Sequence, residues 1–343
     1  MTTARVWSVG LAGLVSLSVA SVAGAAPIDY VVVGNANNAA DPATGGQYGA
    51  VAYAYRISKN ETTVAQYAEF LNAKAKSDPF GLYNTNMASR AYIAGITRSG
   101  ADGAYVYSVV PGTGNKPITY VNYFDAARYA NWVHNGGATA ADTGPSTEVG
   151  AYTLNGQTTG YVARNPAATV WIPDENEWYK AAYYDPTKNG GAGGYWTYAT
   201  AGDTMTGNVA GTADGANYYD TGTGKYASGS GKPLNQSLMA LTDVGAYGSD
   251  SQSYYGTNDQ SGNVVEVTDT RYLTNNSTVA RGGSWINEGA SQVASSSRIE
   301  NTTDNHIYSV GFRVAAPVPE PASLGVLAAA AGALSLSRGR RRR

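Results

Sequence analysis

The chain has 343 residues, with 42 Gly, 27 Tyr, only 4 Phe and 14 % charged residues; this is enough apolar and aromatic surface to bury a sizeable core and to exclude a disordered protein. There is no cysteine, which excludes disulfides, zinc–thiolate sites and thiol catalysis together. The net charge of −2 hides an acidic body: residues 26–317 carry 17 basic and 24 acidic side chains once Arg5, Arg338, Arg340 to Arg343 and Glu320 are set aside, about −7, which disfavours nucleic acid as a partner and suits bound cations.

In chain order, residues 1–25 read as a secretory signal. Arg5 is the charged start, Val6–Val22 is apolar and small, and Ala23-Gly24-Ala25 offers an A-x-A cleavage site. An N-terminal membrane anchor is the alternative. The body follows as one domain over residues 26–317. Val51–Ser58 predicts a strand between Gly and Asn clusters. Thr62–Ala75 predicts an amphipathic helix, with Val64, Tyr67, Ala68 and Leu71 at helical spacing after Asn60-Glu61-Thr62. Phe124–Val133 predicts a second, with Ala127, Tyr129, Ala130 and Val133 on one face. Thr169–Ile172 predicts a strand, and Glu175–Tyr183 a helix whose Asp174 and Glu177 form a capping box. Val310–Val314 predicts a closing strand. Gly136–Gly160 and Asp185–Gly215 show no period. Loops this long in a compact domain need something to order them, and bound metal is one solution.

Residues 318–343 form a tail. Val318-Pro319-Glu320-Pro321 precedes the apolar run Ala322–Leu336, and Arg338–Arg343 follows. The run is shorter than the ~20 residues of a stable spanning helix, and the arginine cluster orients its end toward the cytoplasm. Motif, short transmembrane helix and basic cluster in this order resemble the PEP-CTERM sorting signal of Gram-negative bacteria. The resemblance implies processing by an exosortase-type sorting protease. It also implies export to the cell envelope, cell surface or extracellular matrix, with a C-terminal membrane segment before processing. A plain C-terminal anchor, the alternative, also leaves the body outside the cytoplasm.

Six segments of the body together resemble the formylglycine-generating, or sulfatase-modifying factor, family. They are Tyr55–Tyr67 (family "E-V-T-x-x-x-Y"), Pro117–Ala127 ("P-V-x-x-V-s-w-x-d-A") and Trp171–Ala182 ("L-P-T-E-A-E-W-E-x-A-A"). Asp259–Val267 follows ("D-M-S-G-N-V-W-E-W", with Val265 and Val267 in place of both Trp), then Arg281–Trp285 ("R-G-G-S-W") and Gly311–Arg313 ("G-F-R"). The resemblance implies a loop-rich α/β (α+β) fold, a single formylglycine-generating-enzyme-like domain related to the C-type lectin fold, with structural calcium. Within these motifs Trp171, Trp178 and Trp285 read as core aromatics. Glu177 reads as a structural carboxylate, and Arg281 and Arg313 as partners of internal ion pairs or carbonyls.

The candidate site is a calcium site at Asp259–Glu266. Calcium takes six to eight oxygen ligands; Asp259 and Glu266 supply carboxylates, and Gly262 lets the chain turn so that its carbonyl and that of Val264 can face one ion. The resemblance places calcium at the matching positions. The alternative is a turn into a strand with Glu266 buried and paired. A second calcium site is implied at Asn217, through its side chain, and at the Tyr218 carbonyl. The family's oxidase activity uses two copper-binding cysteines between "R-G-G-S-W" and "G-F-R". Ile286–Val310, the matching segment, has none, although Ser295, Ser296 and Ser297 lie there. No copper is therefore expected, and no catalytic residue is assigned. The two histidines, His134 and His306, leave a facial iron triad conceivable. The reading is an exported non-catalytic surface or matrix protein that binds polysaccharide or a surface protein; the alternative is an enzyme of this family with altered, cysteine-independent chemistry.

Overall fold

The structure is a computed structural model, and it describes residues 27–137 and 147–319. The secretory-signal and sorting-tail expectations lie outside the described residues. Among the described residues no helix is long and apolar enough to cross a membrane.

The strands are β1 (Tyr30–Val33), β2 (Tyr55–Ser58), β3 (Ile96–Ser99), β4 (Val106–Val109), β5 (Tyr184–Asp185), β6 (Gly194–Tyr195), β7 (Val265–Arg271), β8 (Ser277–Arg281), β9 (Ile299–Thr302), β10 (Val310–Gly311) and β11 (Ala315–Pro317). The helices are α1 (Val64–Lys74), α2 (Asn86–Ser89), α3 (Tyr123–His134) and α4 (Glu175–Tyr183). One sheet has the order β1-β2-β11, so the start and the end of the domain lie side by side. A second runs β10-β7-β8-β9, with β10 parallel to β7 and the other pairs antiparallel. β3-β4 and β5-β6 are two-stranded ribbons. This is the mixed, loop-rich α/β domain that the sequence implied.

The helices stand close to where the sequence places them because their caps are local. Thr63, one residue later than the polar start suggested, caps α1 and exchanges bonds with Gln66. Asn122 and Asp125 form the same box on α3, as Asp174 and Glu177 do on α4. The strands depart more. Only Tyr55–Ser58 of Val51–Ser58 is a strand, and only Val310–Gly311 of Val310–Val314. Thr169–Ile172 is not a strand; Trp171 makes a single bridge to Ala315. The reason is that extended segments need partners, and here the paired stretches are only two to four residues long.

The core forms where the closing G-F-R segment wedges its phenyl ring between α1 and α3. Phe312 meets Tyr129 at 5.3 Å between ring centroids and Tyr67 at 6.4 Å, while Tyr67 and Tyr129 stack at 6.3 Å. Tyrosine can serve as a core residue when its hydroxyl is used. Tyr67 donates to the Leu82 carbonyl at 2.9 Å, and Tyr55 to the Glu177 carbonyl at 2.5 Å. Trp171, Trp178 and Trp285 are all buried. Side-chain amides and carboxylates tie the long loops: Asn131 of α3 donates to the Thr147 and Tyr152 carbonyls and accepts from the Tyr152 N–H.

Candidate functional site

The Asp259–Glu266 segment is a tight turn feeding β7. Asp259, Gly262 and Asn263 all have positive φ. A Cβ at Gly262 would run into the Asn217 carbonyl, so the close approach requires glycine. The Asn263 N–H then donates to that carbonyl at 2.9 Å, and the Asn217 amide donates to Asn263 Oδ1 at 3.0 Å. The turn and the Asn217 segment, implied separately by the sequence, are thus one locked unit.

Glu266 ends up fully buried beside Arg313. The guanidinium donates to both carboxylate oxygens, at 2.5 and 2.7 Å, and the Trp178 indole adds a 2.7 Å bond. Arg313 spends its remaining donors on the carbonyls of Ser58, Lys59 and Asn258. The carboxylate at Glu61, which sequence reasoning left inside a motif without a role, accepts from Asn263 Nδ2 at 2.9 Å and the Val264 N–H at 3.1 Å. Its signal was available: it stands in the segment that resembles the family's "E-V-T". Burial first, then the nearby Asp259 and Glu266 charges, push Glu61 well above the usual carboxylate range. Burial also raises Asp259 to about 6, against the Gly245 N–H that donates to it at 2.6 Å. Three carboxylates around one arginine leave buried negative charge that protons or a cation would relieve.

The fit to calcium differs between the two implied positions. Glu266 has three of its roughly four acceptor positions filled by Arg313 and Trp178, as in the alternative of a turn with Glu266 buried and paired. Asp259 instead lines a separate cavity of about 10 Å³ with Thr200, whose buried Oγ1 has no hydrogen-bond partner. Asn217 Oδ1 is likewise buried without a partner, which fits a cation ligand. The Tyr218 carbonyl accepts from Asn208 Nδ2 at 2.8 Å. No group of three or more His, Asp or Glu side chains among the described residues is spaced to hold a metal. The histidines do not assemble either. His306 pairs with Asp125 at the start of α3, and His134 at its end meets Thr169. About nine residues of helix separate those positions, roughly 13 Å.

The other motif residues are structural, as read. Glu177 accepts from Trp171 Nε1, Tyr53 and Arg164. Arg281 pairs with Glu175 and bonds the Ser295 and Ser297 carbonyls. The Ser295–Ser297 segment therefore serves as a carbonyl shelf for Arg281.

The turn, the paired Glu266–Arg313 and the closing G-F-R wedge define a sulfatase-modifying type of α/β domain. A family model for the sulfatase-modifying factor enzyme 1-like (FGE-sulfatase) domain matches residues 31–318, and the chain belongs to that family. Similar solved structures include CarF, 19 % identical over 85 % of this chain and 99 % of that one, with a TM-score of 0.49. Treponema denticola variable protein 1 is 16 % identical over 84 % and 95 %, TM-score 0.49. PvdO from Pseudomonas aeruginosa is 16 % identical over 85 % and 92 %, TM-score 0.39. Likeness of this degree says nothing about activity. No curated protein sequence matches the chain.

Proposed function

We propose that this chain is an exported surface protein that uses the sulfatase-modifying scaffold to bind rather than to catalyse. The observation that carries the reading is the Ile286–Val310 segment, where the family's catalytic thiols belong and where this chain has none. Copper(I) needs soft thiolate ligands, and hydroxyls do not replace them. Arg281 holds the Ser295 and Ser297 carbonyls, and a serine hydroxyl becomes a nucleophile only with a base beside it. The leader and the tail support export and exosortase processing. The acidic body supports a partner other than nucleic acid, and the Tyr-rich composition supports polysaccharide or surface protein, because Tyr offers an apolar face and a hydroxyl at low entropy cost. The full chain, supplied with copper and oxygen, should leave a sulfatase-derived cysteine peptide unmodified by mass spectrometry. Conversion above a no-protein control would restore the enzyme reading.

Calcium belongs to the same proposal as a structural ion, held through Asn217 Oδ1 and the Tyr218 carbonyl, with Asp259 beside its own small cavity. Excess chelator should lower the melting temperature, because an ion that binds only the native state stabilises it by mass action. Asn217→Leu should abolish that response. An unchanged melting temperature in chelator would remove calcium from the account.

A further inference from the structure

We propose that a cavity between α4 and the Arg281–Arg298 region is a binding site for a neutral sugar ring of a polysaccharide. The proposal rests on the reading of the chain as a binding protein and gives that reading a place. The cavity measures about 290 Å³, and its lining includes Asp41, Thr44, Tyr48, Tyr179, Ser296 and Arg298. That size is at the low end for small-molecule pockets and suits a single ring.

The walls are fixed before any ligand arrives. Asp41 accepts from the Ala43 N–H at 2.9 Å and from the Tyr179 hydroxyl at 2.7 Å. Arg281, buried at the back, holds Glu175 through Nε at 2.8 Å. Arg298 grips the same carboxylate from the other side, through Nε at 2.8 Å and Nη2 at 3.1 Å. Its side chain is one quarter exposed. The Tyr48 ring lies 4.7 Å from the Arg281 guanidinium and 5.4 Å from that of Arg298, with Tyr179 at 6.0 Å between centroids. Ser296 stands exposed at the rim.

The charges select the ligand class. The formal charges of Arg281 and Arg298 are offset by Glu175, which both arginines hold, and by Asp41 on the opposite wall, which disfavours a free anion or a metal ion as the ligand. What it does present is a carboxylate, a guanidinium N–H and serine and threonine hydroxyls around two tyrosine rings. Those are acceptors and donors side by side over aromatic carbon. A sugar ring has the complementary surface, with hydroxyls that both donate and accept and C–H faces that lie on aromatic rings. Fixed walls also mean that little ordering cost falls on binding.

The test is affinity electrophoresis of the full chain in gels containing dextran, mixed-linkage β-glucan or galactomannan, with polygalacturonate and inorganic phosphate as anionic competitors. At least one neutral polysaccharide should retard the wild type. Ser296→Trp, which fills the mouth from an exposed position, and Arg298→Gln should each weaken that retardation about tenfold, the scale of losing one well-packed contact, with the melting temperature unchanged in Ser296→Trp. Competition by phosphate or polygalacturonate would overturn the neutral-sugar assignment. Retardation that survives Ser296→Trp would place the sugar elsewhere and leave the surface-binding reading standing. Failure of all three neutral polysaccharides to retard a folded wild type would sink this site, whereas conversion of the cysteine peptide would sink the binding reading beneath it.

Discussion

Arg313 and Arg281 stand in two motifs and do the same chemistry in different surroundings. Each pairs with a buried glutamate and donates to backbone carbonyls as well. Arg313 is sealed: every oxygen of Glu266 and nearly every donor of the guanidinium is spent inside the domain, where the turn, β2 and β7 meet. Arg281 shares Glu175 with a second arginine, Arg298, and the shared pair lies against a cavity. A saturated ion pair joins segments distant in sequence and has nothing left for a ligand. A pair with a redundant, partly exposed member can be structural and still present a donor to an incoming molecule.

The largest test of that difference is Arg313→Ala. It strands Glu266, with Glu61 and Asp259 nearby, and should cost about 3–5 kcal/mol in urea unfolding, the penalty of leaving a buried charge uncompensated. Arg281→Ala should cost less, about 1–3 kcal/mol, because Arg298 still holds Glu175. Equal losses in the two variants would erase the contrast. A third carboxylate sharpens it. Asp269 is buried and, among the described residues, has no guanidinium bonded to it; it accepts from the Tyr123 and Tyr152 hydroxyls, both at 3.2 Å. Burial raises it to about 8, with Arg164 and the two tyrosines pulling the other way. The folded carboxyl therefore keeps its proton between about pH 4 and 8 while the unfolded one has released it. The folded chain binds more protons in that window, so stability falls as pH rises through it. Asp269→Asn should remove that contribution, on the order of 1 kcal/mol per pH unit, and the difference from wild type in urea unfolding at pH 6 and pH 8 reads this group alone. A variant with the wild-type slope would show that tyrosine hydroxyls suffice to keep the carboxylate ionised.

The sequence carried the helices because their information is local. Apolar spacing and a capping pair three residues apart settle α1, α3 and α4 with little help from the rest of the chain. It also carried the domain type, through six ordered motifs, and the structural roles of Trp178, Glu177, Arg281 and Arg313, because burying a large aromatic or pairing a motif arginine is the common outcome for those residue types. It missed β8 and β9 and overextended Val51–Ser58, since a strand a few residues long is defined by the partner that folding brings beside it.

For the site, the sequence by itself determined which ligand chemistry was present and absent: carboxylates and amides in the Asp259–Glu266 and Asn217 segments, and no thiol anywhere. Only the tertiary structure decided how those groups are spent. Glu266 goes to Arg313, 47 residues further on, Asp259 faces a different small cavity, Asn217 Oδ1 is left without a partner among the described residues, and Tyr48, Asp41 and Arg298 come together around one hollow. A carboxylate's identity is written in its residue, but whether it meets a guanidinium, a proton or a ligand depends on contacts between residues 47 positions apart, as for Glu266 and Arg313, or 106, as for Glu175 and Arg281, which no local pattern encodes.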